Sequence, residues 1–121
     1  MNKKTGPPQH FGLSLDKVSY LLERKVLGLM QAKNYDLTFT ELIFLMKIIE
    51  LEAARPADLV PETLRDKSVV TRLTKKMKDK GYIKFTDDIL DRRSYRLSTT
   101  LKGKRLFEYM KTNMQPFRQN F

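Results

Sequence analysis

The stretch DKSVVTRLTKKMKDKG, residues 66–81, has the side chains for reading a nucleic acid groove. Val70, Leu73 and Met77 fall at i, i+3 and i+7, which makes one apolar helix face aimed at a core. Lys67, Ser68, Thr71, Arg72, Lys75 and Lys76 fall away from that stripe. Small polar residues near a helix start let the backbone approach base edges, and Arg72 can fork onto guanine. Lysines 67, 75 and 76 can pair with phosphates, which adds affinity without reading sequence. Val69 is either a core-margin residue or a contact for a thymine methyl. The plainer reading is an amphipathic helix with a solvated basic face, and the next segment decides between the two.

That segment is DILDRRSYRLSTTLKGK, residues 88–104. YIKFT and SYRLS alternate like strands, and DDILD between them is a turn, so the pair forms a hairpin. Arg92 and Arg93 stand at the base of the returning strand. A guanidinium there can enter a minor groove, where narrow A·T tracts concentrate negative potential. Asp91 can pair with one of these arginines and orient it. The bland alternative is a surface ion pair of about 0–1 kcal/mol.

Several elements must position these residues. Gly6-Pro7-Pro8 predicts a loose leader over residues 1–13, with Ser14 as the cap of a first helix. Leu15, Val18, Leu22, Val26 and Leu29 then recur at helical spacing, widened by Leu21, Leu27 and Met30. A stripe that wide needs cover from another subunit. After NYD, Thr38 and Glu41 form a capping-box pattern ahead of a segment that is apolar almost all round and therefore buried. Pro56 starts a short helix whose interior holds Pro61, either as a stop or a kink. Asp66 caps the basic helix and Gly81 stops it. Thr100 caps a last helix that Pro116 ends near Met114. Helix-turn-helix followed directly by a hairpin is a winged helix.

Composition narrows the function classes. The chain has 121 residues, enough for one domain, and no cysteine, which removes disulfides and thiolate chemistry. Its one histidine, His10, excludes a multi-histidine metal site. Neither a nucleophile–base pair nor a phosphate loop is present, so no enzyme, cofactor or metal is expected. No apolar run approaches a membrane span, and a cytoplasmic location is expected. The net charge is +10, and all of it lies beyond residue 64. Residues 1–64 carry 8 basic and 8 acidic residues, against 16 and 6 in residues 65–121. Such asymmetry marks a face for a polyanion.

LTFTELIFLMKI, DKSVVTRLTKKMKDKGYI and DDILDRRSYRLSTTLKG together resemble the MarR family of bacterial winged-helix transcription regulators. The wing signature is Asp88, Asp91, Arg92 and Arg93, then the capping Thr100 and Gly103. Length and layout are closest to the small SarA-like branch. The resemblance implies a homodimer, joined by the first and last helices, on a pseudo-palindromic operator in double-stranded DNA. By position, Ser68, Thr71, Arg72 and Lys75 would read or clamp the major groove, and Arg92 or Arg93 would make the wing contact. A small-molecule effector of unassigned identity is also implied. Phe85, Ile89 and Thr99 depart from the family's usual arginine, proline and leucine.

The expected architecture is mainly α (α+β): a winged helix-turn-helix with a two-stranded β-wing and flanking dimerisation helices. Its single domain spans 14–121, with dimerisation helices at about 14–33 and 100–115, the helix-turn-helix at about 55–81 and the wing at about 82–98. The expected function is a sequence-specific DNA-binding transcriptional regulator. The alternative is a winged-helix module for protein interaction, replication or partition.

Overall fold

A computed structural model describes the backbone of residues 6–119 and the side chains of residues 15–114. The order is α1 (Gly6–Ala32), α2 (Phe39–Leu51), α3 (Pro56–Thr63), α4 (Lys67–Asp79), β1 (Ile83–Asp87), β2 (Tyr95–Thr99) and α5 (Leu101–Gln119). The strands pair antiparallel, with Ile83 opposite Thr99 and Asp87 opposite Tyr95. This is a winged helix-turn-helix, mainly α-helical. No described helix is long and apolar enough to cross a membrane.

Helix ends follow local chemistry. The Thr38 hydroxyl accepts the Glu41 N–H at 3.1 Å, and the Glu41 carboxylate accepts the Thr38 N–H at 2.9 Å. That reciprocal box satisfies two donors that the first turn of α2 leaves without partners. Helix α1 ends where Asn34 takes a left-handed φ of 61° and Tyr35 N–H bonds back to Met30 O at 2.9 Å. Helix α4 ends the same way at Gly81, φ 90°, with Tyr82 N–H bonded to Met77 O at 3.0 Å. Both are Schellman closures, which need a residue that tolerates positive φ.

One core joins all the elements. Phe44, Leu45 and Ile48 of α2 form its centre, with Leu59 of α3, Val70 and Met77 of α4, Leu97 of β2 and Leu106 of α5. Truncating one such side chain to alanine costs about 2–5 kcal/mol, through lost transfer energy and the cavity left behind.

Three expectations need correction. The predicted leader is helical from Gly6 onward, and Ser14 stands inside α1 rather than capping it. Pro7 and Pro8 occupy the first turn, where a missing N–H costs nothing because no intrahelical acceptor exists there. Residues 1–5 of the leader lie outside the described residues. Pro116 does not end α5, which continues to Gln119. A proline removes one helix bond and crowds the preceding turn, which weakens a helix without compelling its end. Helix α2 is not buried all round, since Ile43, Met46 and Leu51 are 39%, 46% and 37% exposed. A helix in a domain this small has neighbours for most of its circumference but not all of it. Of the two alternatives for Pro61, the stop does not hold, since α3 runs on to Thr63.

Candidate nucleic-acid interface

Helix α4 begins at Asp66, whose carboxylate accepts the Val69 N–H at 3.0 Å and the Ser68 hydroxyl at 2.9 Å. The Val69 N–H is the chief cause that lowers the Asp66 carboxyl below its ordinary range, followed by the Ser68 hydroxyl. The cap therefore stays charged and fixes the start of the helix. Val70, Thr74 and Met77 are buried beneath it. The Thr74 hydroxyl is satisfied by donating to Val70 O at 2.8 Å. Leu73, expected in the apolar stripe, is only partly buried.

The opposite face is open. Lys67, Ser68, Thr71, Arg72, Lys75 and Lys76 are all exposed, so the structure brings these residues together on one helical surface. Val69 is intermediate between core and surface.

The wing stands beside this helix. Phe85 of β1 stacks on Tyr95 of β2 at 4.5 Å between ring centroids, and Lys78 Nζ of α4 lies 5.1 Å from the Phe85 ring. An aromatic at position 85 thus packs the wing under the basic helix. Arg92 and Arg93 are exposed on the loop between the strands. Asp91 does not hold an arginine side chain closely, because its contact to Arg93 Nε is 3.8 Å and Arg93 is 95% exposed. Its stronger bond accepts the Arg93 backbone N–H at 3.0 Å, so Asp91 shapes the turn instead.

The acid that organises the wing is Asp88. Its carboxylate is buried and takes Arg55 at 2.8 Å and Arg96 at 3.3 Å. It also accepts the Leu90 N–H at 3.0 Å. The Leu90 N–H is the main cause that holds the Asp88 carboxyl below its ordinary range, opposed by burial and aided by Arg55. Arg96 in turn donates to Ala53 O at 2.8 Å, and Leu97 N–H bonds Ala54 O at 2.7 Å. These ties fasten the wing to the segment between α2 and α3, where Glu52 and Ala53 both take positive φ. Asp88 was expected only as part of the wing signature, with no role assigned, and neither Arg55 nor Arg96 was expected at the site. The available signal was cross-strand register, since Asp88 follows β1 directly and Arg96 faces Thr86 on that strand.

A second junction holds the far end of α4. Lys80 Nζ pairs with the buried Glu41 at 2.8 Å and donates to Asp36 O at 2.9 Å. The Tyr82 hydroxyl donates to the Asp36 carboxylate at 2.6 Å. Burial, then that carboxylate, push the Tyr82 hydroxyl up to about 12, and the same bond lowers Asp36. Lys102 of α5 donates to Lys80 O at 3.0 Å and lies 4.4 Å from the Tyr82 ring centroid. The Thr100 hydroxyl donates to Gly81 O at 2.6 Å and accepts the Gly103 N–H at 3.2 Å. The end of α4 and the start of α5 are thereby stitched together.

The MarR family model matches residues 35–94, from the loop before α2 to the end of the loop between the wing strands. The HTH-type transcriptional regulator SarZ of Staphylococcus saprophyticus is 36% identical over 76 residues, covering 63% of this chain and 52% of that protein. The chain therefore spans about half the length of the curated relatives it matches. The transcriptional regulator Tm0710 from Thermotoga maritima is 27% identical, with a TM-score of 0.67 over 93% of this chain and 78% of that one. FabT of Streptococcus pneumoniae, solved in complex with DNA, shares the fold at 20% identity, with a TM-score of 0.83 over 93% of this chain and 79% of that one. The match takes in α2, the helix-turn-helix and the first strand and loop of the wing, and the chain belongs to the MarR family, a family of transcriptional regulators and not of enzymes.

Proposed function

We propose that this chain regulates transcription in the cytoplasm by binding a pseudo-palindromic operator in duplex DNA as a homodimer. The observation that carries this reading is the open basic face of α4 beside an arginine-bearing wing. Arg72 supplies a forked guanine contact, with Ser68 and Thr71 close to base edges. Lys67, Lys75 and Lys76 neutralise phosphates, and Arg92 or Arg93 reaches an adjacent minor groove. The FabT relative was captured with DNA, which supports the same use of the shared fold.

The dimer rests on α1. Val26 and Met30 are buried in the protomer, but Leu15, Val18 and Leu21 are 50%, 57% and 54% exposed. That uncovered half of the stripe suits the same stripe on a second copy, with α5 packed alongside. Two α4 helices would then enter successive major grooves.

The test is selection from a random duplex pool at two salt concentrations, followed by sequencing. An enriched inverted repeat with half-sites about one helical turn apart is the expected result. Salt-sensitive binding with no motif, or no binding at either salt, would overturn it.

A further inference from the structure

The tip of the wing presents two large aliphatic side chains to water. Ile89 is 94% exposed and Leu90 is 85% exposed. The turn does not require them. Its bonds come from the Asp88 and Asp91 carboxylates, which accept the Leu90 and Arg93 N–H groups at 3.0 Å each. Backbone bonds from Asp91 to Asp88 and from Ser94 to Asp91 close the loop. The tip is also presented on a fixed support, since Asp88 is clamped by Arg55 and Arg96.

We propose that Ile89 and Leu90 form an apolar wedge that seats against the deoxyribose walls of the same minor groove that Arg92 or Arg93 reaches. This inference rests on the DNA-binding reading and adds a contact to it. Charge complementarity selects the occupant. The aliphatic pair is followed, after Asp91, whose carboxylate is turned to the Arg93 backbone N–H, by two exposed arginines, on the half of the chain that carries the whole +10 excess. A minor groove offers anionic rims around apolar sugar walls, which matches that order of side chains. A second wing packed on the first would instead oppose arginine to arginine. Apolar burial releases no condensed counterions, so the wedge strengthens binding equally at every salt concentration.

The experiment uses the full chain and a duplex enriched by the wild type. Affinity is titrated across a range of salt for the wild type, Ile89→Ser/Leu90→Ser and Arg92→Ala. The double variant should bind roughly tenfold more weakly at every salt, with an unchanged salt slope. Arg92→Ala should reduce that slope by about 1. Replacing A·T flanks by G·C puts guanine amino groups on the groove floor, and this should weaken the wild type more than the double variant. Inosine·C flanks, which lack the amino group, should restore wild-type binding. Both side chains are exposed, so the urea midpoint of the double variant should match the wild type; Ile89→Thr is the milder second variant if it does not. Equal affinity of wild type and double variant would overturn the wedge while leaving DNA binding intact. Weaker self-association in sedimentation, with DNA affinity unchanged, would assign the tip to a second copy and overturn it as well. A wild type that enriches no duplex would remove the DNA-binding reading itself.

Discussion

Changing glycine to alanine at two helix positions should move stability in opposite directions. Gly28 of α1 has open space where a Cβ would stand. Alanine there gains helix propensity of about 0.8–1 kcal/mol. At Gly103, in the first turn of α5, the same Cβ would press on the Tyr82 carbonyl oxygen and the Thr99 hydroxyl, closer than real Cβ atoms approach, with Leu45 Cδ1 at 3.3 Å. The Tyr82 carbonyl has little freedom to move, because it accepts the Thr100 N–H at 3.0 Å and the Thr99 hydroxyl at 3.3 Å. Overpacking of this kind costs about 1–3 kcal/mol, and forcing backbone rather than a flexible tip puts Gly103 at the upper end. Allowing for the propensity gain, the net loss is about 2 kcal/mol. With a urea slope of about 1–3 kcal/mol/M, the midpoint of Gly103→Ala should fall by roughly 1 M. Its Tm should fall by roughly 8 °C. Circular dichroism during urea titration, at one protein concentration for all three chains, is the assay. A neutral or stabilised Gly103→Ala would refute the close approach of α5 to the β1 start.

Leu64→Gly should stabilise the chain by about 0.5–1 kcal/mol, because Leu64 is 90% exposed and held at φ 57°, a conformation glycine adopts without strain. An unchanged urea midpoint would count against strain at that turn. Arg72→Ala should cost about 1–3 kcal/mol of operator affinity and relax preference at one base position, whereas Lys76→Ala should weaken all duplexes alike. Binding titrations on single-base operator variants separate the two outcomes. The carboxyls of Asp36, Asp66 and Asp88 are all lowered from the ordinary value of a free aspartate. Depressed folded values favour the folded state above the unfolded value, so the three contribute a constant amount above about pH 5. That contribution is lost as pH falls below about 4, which urea midpoints measured against pH would show. Asp88→Asn should flatten part of that loss. It should also weaken duplex binding despite removing one negative charge, because the wing loses its clamp; tighter binding would mean that charge, and not anchoring, sets the effect of Asp88.

The helix-turn-helix and hairpin were legible because their signals are local. Thr38 with Glu41, Asp66 with Gly81, and the i, i+3, i+7 spacing of Val70, Leu73 and Met77 each act within a few residues. The open face of α4 follows directly from that spacing. What stayed hidden depends on partners far apart in the chain. Asp88 stands in the wing signature with no role assigned, and only the fold shows that Arg55, 33 residues earlier, draws it inward. Glu41 read as a cap, but it also accepts Lys80 from 39 residues away. Gly103 matched a family pattern whose cause, contact with Tyr82 and Thr99, has no local signature. The leader was misread because proline was weighed as a helix breaker without regard to its place in the turn.

The chain leaves the helical body at Gly81 and returns to the same spot at Thr100, where the two are bonded. Residues 83–99 are therefore a detour whose ends already meet. A lineage could exchange that hairpin for one of different length or tip chemistry without moving α4 or α5. The fastenings that would have to survive the exchange are the Asp88 clamp on Arg55, the Arg96 bond to Ala53, the Leu97 bond to Ala54 and the buried Ile83 and Leu97 side chains. On the proposed function, contacts outside the major groove can thus drift between related regulators while the scaffold that would space two half-sites stays the same.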